Sequence, residues 1–110
     1  MEIDKLVIKT GRNYFFIDKD DIDFVESENN HSRICCKKKS YVVKKSLSYL
    51  EDRLGGEKFL RINRSTIVNI DRISEMKESE NNKYVIILKN NKTLQWGRRY
   101  REKLVKRIKI

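Results

Sequence analysis

Three consecutive polar residues, Asn63, Arg64 and Ser65, separate two short apolar stretches in the second half of the chain. Their side chains can read nucleic acid: arginine forks onto guanine, asparagine pairs with adenine, and serine binds phosphate oxygens. The apolar stretches on either side alternate as strands do, so the polar triplet is expected to project from a turn between them. The pattern is that of a loop that contacts DNA or RNA.

Charge is distributed unevenly along the chain. Lysine and arginine together number 26 against 16 acidic residues, so the formal net charge is 26 − 16 = +10. Residues 97–110 hold seven basic side chains and one acid, whereas residues 18–28 hold six acids and one lysine. This asymmetry fits a protein that presents one surface to phosphates and turns another away, although a solvated amphipathic helix would also explain the basic segment.

Residue types that perform catalysis or hold metals do not form a working pattern in this chain. No serine or cysteine has the partners of a nucleophilic triad, and two cysteines with one histidine do not complete a zinc site. The acidic stretch fails the calcium-loop pattern, because Ile22 stands at a ligand position and Asp23 where the glycine is needed. We expect no enzyme activity, no cofactor and no metal.

The cysteines and the lack of a long apolar run indicate the compartment. Cys35 and Cys36 are neighbours and would point to opposite faces of a strand, so we interpret them as reduced thiols. No apolar run approaches the ~20 residues that cross a membrane. These features predict a cytoplasmic protein with no membrane partner.

The elements that must position the polar triplet are mostly short strands. A short central helix is indicated by Ser46 as N-cap, by Leu47, Leu50 and Leu54 on one stripe, and by glycines that follow. Residues 27–32 contain no apolar side chain and are predicted to form an exposed loop. The segment 98–110 has helical periodicity, with Tyr100, Leu104, Val105 and Ile108 on one arc. Turn signals occur at Asn81-Asn82 and Asn90-Asn91, and strands are predicted at 6–8, 14–17, 22–25, 33–37, 41–43, 59–62, 67–70, 73–76, 84–88 and 93–96.

One spacing is more specific than composition. The pattern Phe-x-Arg-x-x-Arg-Ser-x-x-Val-Asn, which begins at Phe59, resembles the signature of the LytTR DNA-binding domain, the output module of LytR- and AgrA-type bacterial response regulators. The resemblance extends over nearly the whole chain. It implies one domain over residues 1–110 with a mainly β fold: an elongated array of about ten short strands in small antiparallel sheets, a short central helix and a C-terminal helical segment.

The resemblance also implies how DNA is bound. Family members contact double-stranded DNA through loops that enter successive major grooves, and the contacts come from three segments. The residues at these positions here are Asn30, His31, Ser32 and Arg33 in the first segment, Arg64 and Ser65 in the second, and Arg98, Arg99 and Arg101 in the third. Some members use a histidine at the position of Ser32, so either His31 or Ser32 is expected to reach the bases. Implied partners are promoter DNA with repeated sites, a second copy of the regulator and a receiver domain.

Two residues beside the polar triplet have separate interpretations. Asn69 is expected to bond backbone at a strand end, and Arg61 is a candidate brace for the turn through a carboxylate. The apolar side chains nearby, Phe59, Ile62, Ile67 and Val68, are expected in the core.

Two other functions stay open from the residues alone. A single-stranded RNA or DNA binder would stack bases on exposed aromatic rings, but the apolar neighbours of these rings favour core and hairpin packing. The rings concerned are Tyr14, Phe15, Phe16, Tyr41 and Trp96. A module that binds anionic lipid through the basic tail is the other alternative, although Arg101 interrupts the tail's short apolar arc.

Overall fold

The chain begins with a two-stranded hairpin. A computed structural model describes residues 4–80 and 83–108. In it β1 (Lys5–Thr10) pairs antiparallel with β2 (Asn13–Asp18) across a turn in which Gly11 has a φ of 63°. Glycine adopts this left-handed conformation without steric cost, which explains the short connection. The predicted hairpin is confirmed, while the turn predicted at Asn81-Asn82 lies outside the described residues.

A five-stranded antiparallel sheet forms the centre of the domain. Its strand order is β5-β4-β3-β7-β6, so the two hairpins β3–β4 and β6–β7 lie side by side. The sheet comprises β3 (Ile22–Glu28), β4 (His31–Cys36), β5 (Ser40–Val43), β6 (Phe59–Asn63) and β7 (Thr66–Asn69). Residues 27–31 are exposed, as predicted for 27–32, but the predicted loop is wrong because strands β3 and β4 continue through the segment to a two-residue turn.

A third sheet and two helices complete the fold. The third sheet has the order β10-β9-β8, and the helices follow β5 and β10. The elements are α1 (Leu47–Leu54), β8 (Ile73–Ser79), β9 (Lys83–Leu88), β10 (Thr93–Gln95) and α2 (Arg98–Ile108), with 3-10 turns at Lys19–Asp21 and Ile70–Arg72. Within the described residues, neither helix has the length and apolar content that crossing a membrane requires. The mainly β architecture matches the expected fold.

The central sheet is covered on both faces. Phe59 packs in a cluster with the β1–β2 hairpin and α1, whereas the next residue, Leu60, packs in a second cluster with the third sheet and α2. Ile67 and Val68 of β7 divide between the two clusters in the same way. Alternate side chains of a strand point to opposite faces, so both faces of these strands are buried. The expected core residues Phe59, Ile62, Ile67 and Val68 are all buried, which confirms that prediction.

Helix α1 forms as its sequence predicts. The Ser46 side chain accepts a hydrogen bond from the Tyr49 N–H at 3.1 Å, and Leu47, Leu50 and Leu54 are buried. Eight residues make about two turns, which is too short to be stable alone. Burial of the three leucines contributes about 1.5–3 kcal/mol each, and this packing against the sheet stabilises the helix.

Three side chains lie on the surface instead of in the core. Tyr14 and Phe16 are 63% and 64% exposed, so the prediction that they pack in the core is wrong. Tyr14 does contact the hairpin, because the Lys9 ammonium lies 5.5 Å from the centre of its ring. The reason is that a two-stranded hairpin has only one face toward the core, and Ile17 of β2 occupies it. On α2, Leu104 is buried but Val105 is 44% exposed, so the buried arc is narrower than predicted.

Candidate nucleic-acid interface

Two turns of the central sheet lie next to each other at one end. Strands β3 and β4 are joined at Asn29-Asn30, where Asn29 has a φ of 59°, and β6 and β7 are joined at Arg64-Ser65. Strand β3 runs antiparallel to β7, and the Ser27 N–H donates to the Ser65 carbonyl at 2.9 Å. Both turns therefore project from the same end of the sheet, which we call the turn end.

The segment that begins α2 joins the same end. The Gly97 N–H donates to the Ile62 carbonyl at 2.7 Å, at the close of β6. The cavity next to this bond is lined by both Arg64 and Arg98. A Cβ on Gly97 would lie 3.4 Å from the Asn63 Cβ and from the Ile62 oxygen, so the two segments are in close contact. The structure thus brings the second and third predicted segments together.

Asn63 shapes the 63–65 turn from within. Its Oδ1 accepts from the Ser65 N–H at 2.8 Å, and its Nδ2 donates to the Gln95 carbonyl at 2.7 Å. Both polar atoms of the amide are used inside the domain, so the suggestion that Asn63 pairs with adenine is corrected. The amide instead links the turn to β10, and Arg64 and Ser65 are the exposed members of the triplet.

Arg61 braces the same turn from the side. Its Nε donates to the Asn63 carbonyl at 3.1 Å, and its Nη2 donates to the Arg64 carbonyl. Its Nη1 donates to Glu51 Oε1 of α1 at 3.0 Å. The arginine side chain is only 19% exposed, so it works within the structure and not at its surface. The expectation of a brace held by a carboxylate is confirmed.

In the first segment the residues alternate between surface and interior. Asn30 and His31 are exposed, whereas Ser32 is fully buried and its Oγ donates to the Lys45 carbonyl at 2.8 Å. Ser32 pairs across the ladder with Val43 and points to the opposite face from His31. The prediction that Ser32 lies at the interface is therefore corrected, and His31 is the exposed one of the two candidates.

Arg33 is exposed in part and is paired. Its Nε donates to Glu28 Oε2 at 2.9 Å across the β3–β4 hairpin. This hydrogen bond and the attraction of the charges lower the pKa of the Glu28 carboxyl and raise the pKa of the Arg33 guanidinium. Glu28 thus lies beside the cations of the turn end, and a phosphate would compete with Glu28 for Arg33.

Sequence reasoning missed two lysines at the turn end. Lys44 and Lys45 follow β5 directly, and both are exposed. The bond from Ser32 to the Lys45 carbonyl holds this segment beside the start of β4, next to His31. The Lys45 ammonium lies 4.7 Å from the centre of the Tyr49 ring. The sequence does show two consecutive lysines directly after a predicted strand. Their position at the turn end, however, depends on the order of strands in the sheet.

Aspartates of the acidic stretch lie at the opposite end of the central sheet. The turn Lys19–Asp21 precedes β3 and therefore lies at the end away from the β3–β4 turn. Asp20 pairs there with Lys58 at 3.1 Å, which raises the pKa of that lysine. The aspartates of this turn are therefore separated in space from the exposed Arg64 at the turn end, whereas β3 carries Glu26 and Glu28 of the same acidic stretch toward that end.

Comparison with known proteins identifies the family of this chain. The family model of the LytTr DNA-binding domain matches residues 12–109. This chain belongs to the LytTR family. The sensory transduction protein LytT of Bacillus subtilis (strain 168) is 29% identical over 106 residues, which are 96% of this chain and 44% of that protein. The sensory transduction protein LytR of Streptococcus mutans is 30% identical over 84 residues, covering 76% of this chain and 34% of that protein.

A solved structure has the same fold. It is a LytTr DNA-binding domain from Bacillus cereus, with a TM-score of 0.81, 18% sequence identity and coverage of 94% of both chains. At this identity the likeness shows the fold, which confirms the expected architecture of a LytTR domain. The chain spans less than half the length of the curated relatives described above, 44% and 34%.

The third segment of this LytTR domain presents two exposed arginines and one that is stacked. Arg98 and Arg99 are exposed. The Arg98 Nε lies 3.7 Å from Oε1 of Glu102, one turn further along α2. Arg101 is half-buried, with its guanidinium carbon 3.4 Å from the centre of the Tyr84 ring. Arg98 and Arg99 are therefore accessible from solvent, while Arg101 is oriented by the aromatic ring.

Proposed function

We propose that this LytTR domain binds double-stranded DNA with its turn end, as the DNA-binding part of a bacterial transcriptional regulator. The observation that carries the proposal is the row formed at one end of the sheet by three exposed segments. These contain His31, Arg64 with Ser65, and Arg98 with Arg99. Guanidinium groups give bidentate contacts to guanine and charge-assisted contacts to phosphate, which matches recognition of a duplex.

The proposed contacts come from the turns and ends of strands and from the first turn of α2, and not from the length of a recognition helix. Helix α2 packs Leu104 into the core and lies against β6, so only its first turn reaches the turn end. The longest dimension of the domain is 47 Å, which exceeds the helical repeat of duplex DNA, about 34 Å. We propose that the three segments of the turn end enter successive major grooves on one face of the duplex.

Partners of the whole protein follow from its relatives. Those relatives are named as sensory transduction proteins and are more than twice as long as the part this chain covers, 44% and 34%. The proposed partners are a receiver domain and a second copy of the regulator. The proposed DNA contains repeated sites in promoters, and the proposed location is the cytoplasm.

The experiment that tests the function is selection from random duplex DNA followed by footprinting. The selected duplex should bind with an affinity that falls steeply with salt, with a slope of roughly −0.9 for each neutralised phosphate. Arg64→Ala and Arg98→Ala should each weaken binding to this duplex by ~1–3 kcal/mol. Arg53→Ala, which removes an arginine near the C-terminal end of α1, is the matched control and should bind like the parent. Equal binding by all three variants and the parent would contradict the site.

Binding of single strands is the second candidate, and one observation favours it. Tyr14 and Phe16 are exposed on the same face of β2, where bases could stack. The other aromatic residues considered do not extend this surface, because Trp96 is buried and Phe15 and Tyr41 are half-buried. Competition between duplex and single strand separates the functions, and a double Tyr14→Ala, Phe16→Ala variant should lose only single-strand binding.

A further inference from the structure

Two aromatic side chains lie on the outer face of the β1–β2 hairpin. Tyr14 and Phe16 alternate with inward-facing residues along β2 and are largely exposed. Val7 of β1, which is half-buried, is paired with Phe16 in the ladder and extends this apolar face across the hairpin. A cluster of exposed apolar side chains in such a highly charged chain indicates a contact with another molecule.

The outer edge of β2 is open as well. Strands β1 and β2 form a sheet of two, so no strand of the described residues pairs with the other side of β2. The hairpin turn has two residues, and its closing pair, Thr10 and Asn13, therefore exchanges hydrogen bonds. Since the direction of bonding alternates along a strand, the N–H and C=O groups of Tyr14 and Phe16 point away from β1. The same two residues thus present both their rings and their backbone groups.

The other sheet edges in the described part of the chain are protected. The edge of β6 accepts the bond from Gly97 and packs against α2, while β1 and β5 lie beside each other. Strand β10 has only three residues, and β8 carries exposed charges at Glu75, Lys77 and Glu78. Cover, short length and charge are the usual ways in which native proteins prevent edge-to-edge pairing. In β2, by contrast, residues 13–17 are uncharged.

The sequence of β2 is complementary to itself in the antiparallel direction. Pairing with a second copy, centred on Phe15, places Tyr14 opposite Phe16 of the other copy. Directly opposite residues share a face, so the four rings meet on the outer surface. The same register places Arg12 opposite Asp18 of the other copy, which pairs opposite charges at both ends. A register shifted by one residue sets outward rings against inward-facing side chains, and a shift by two sets a ring against a charge.

We propose that β2 is a self-association surface, at which two copies of this chain join their hairpins into one four-stranded antiparallel sheet. The inference gives the second copy proposed above a place to bind, and it does not depend on duplex binding, because the hairpin is outside the turn-end segments. A depression beside the C-terminal half of β2 leaves room for the turn of the other copy. Lysines 37–39 line it together with Asp18, so strand pairing and ring contacts, more than the contact of Arg12 with Asp18, stabilise the dimer.

The strength of this dimer and its dependence on salt follow from its size and charge. Two strand edges and four rings bury less than the ~1,200 Å² of standard specific interfaces, so the contact is transient. Sedimentation velocity should therefore show the parent passing from monomer toward dimer between about 10 μM and 1 mM. Each copy carries a net charge of +10, and screening this repulsion by raising NaCl from about 0.1 to 0.5 M should strengthen association. Duplex binding has the opposite dependence on salt.

One variant and a matched control test the surface. Phe16→Lys places a charge on the open edge, and it should weaken association at least about tenfold because each substitution acts twice across a two-fold axis. Val42→Lys adds the same charge to an exposed apolar position of the edge strand β5 and should associate like the parent. Thermal melts of both variants check that each is folded.

A cross-linking measurement tests the register. In a background with Cys35→Ala and Cys36→Ala, one protein carries Tyr14→Cys and a second, made heavier by a tag, carries Phe16→Cys. Mixing them with oxidised glutathione should give the mixed disulfide in preference to either homodimer. The reason is that positions 14 and 16 lie directly opposite, with Cα atoms about 5.5 Å apart, whereas two copies of the same position lie on a longer diagonal.

The outcomes separate the surface from the function. A parent that stays monomeric at the highest concentration overturns the surface, and so does association of Phe16→Lys that equals that of Val42→Lys. If a monomeric parent binds single strands and Phe16→Lys does not, the face belongs to nucleic acid and the surface is again wrong. Loss of association with duplex binding equal to that of Val42→Lys supports the surface. If the parent dimerises but binds no duplex, the proposed function fails and the surface stands.

Discussion

Arg61 offers the clearest test of how the turn end is held in shape. Replacing it by alanine removes two hydrogen bonds to carbonyls of the turn, those of Asn63 and Arg64, and one bond to Glu51 of α1. None of these contacts involves DNA. The variant therefore separates the order of the turn from its charge.

The expected loss in the free energy of unfolding follows from these bonds. Hydrogen bonds from a charged donor contribute about 1.5–3 kcal/mol each when buried, and the partial exposure of this site favours the lower end. The pair with Glu51, whose side chain is 44% exposed, adds less than about 1 kcal/mol. We expect Arg61→Ala to lower the free energy of unfolding by about 2–4 kcal/mol, measured by urea denaturation followed by circular dichroism.

DNA binding by Arg61→Ala should weaken for a reason other than this loss of stability. A turn without its brace must be ordered when DNA binds, and ordering one residue costs about 1–2 kcal/mol. We expect affinity for the selected duplex to fall by about that amount, measured by fluorescence anisotropy well below the melting temperature. The salt slope should stay that of the parent, because no phosphate contact is lost.

Two controls make the interpretation of Arg61 specific. Arg61→Lys keeps the charge but cannot donate to both carbonyls, so it should resemble Arg61→Ala in binding. Glu51→Gln leaves both turn bonds intact and should bind DNA like the parent. Full binding by Arg61→Lys, or a slope shallower by roughly 0.9 in Arg61→Ala, would refute the brace and indicate a direct phosphate contact.

Four further predictions concern the side chains of Glu28, Ser32 and Cys36. Glu28→Gln should tighten DNA binding about two- to fivefold in anisotropy titrations, because it frees Arg33 and removes a negative charge, and unchanged affinity would contradict this. Since Arg33 lowers the Glu28 pKa, their pair stabilises the fold above the ordinary pKa of 4.5 and is lost as the pH falls through the lowered value, so acid-range urea melts of Glu28→Gln should lack this loss. Ser32→Ala should cost about 1–2 kcal/mol in urea melts by leaving the Lys45 carbonyl unpaired, yet bind DNA like the parent, and a binding loss in the folded state would place the hydroxyl at the interface. Burial raises the pKa of Cys36 from 9.0 to about 11, so iodoacetamide should alkylate it about a hundredfold more slowly than an ordinary thiol at neutral pH, whereas fast labelling would show an accessible thiolate.

Much of the fold could be predicted because local signals and packing agree. Ser46 caps α1, and the leucines of α1 lie on one stripe, so both the helix and its buried face could be predicted from the sequence. The opposite orientations of Phe59 and Leu60 followed from strand alternation. A loop was predicted at Ser27 to Ser32 because the segment is polar. Most of these polar residues belong to paired strands, and their pairing partners lie elsewhere in the chain.

The candidate site was predictable in its parts but not in its assembly. The pattern starting at Phe59 resembled the family signature and indicated which segments to examine, while the contacts that join them are long-range. The bond from Asn63 to the Gln95 carbonyl spans 32 residues, and the burial of Ser32 depends on an acceptor at Lys45. Such pairings depend on the order of strands, which alternation alone does not determine.

The division of labour within the 63–65 turn has an evolutionary consequence. Asn63 and Arg61 maintain the backbone of the turn, whereas the side chains of Arg64 and Ser65 are exposed and make no hydrogen bond within the part of the chain that the structure describes. Exchange of an outward residue therefore leaves the scaffold intact. A lineage of such regulators can diverge in the promoters it recognises through a few codon changes, while the internal residues of the turn remain under selection for stability.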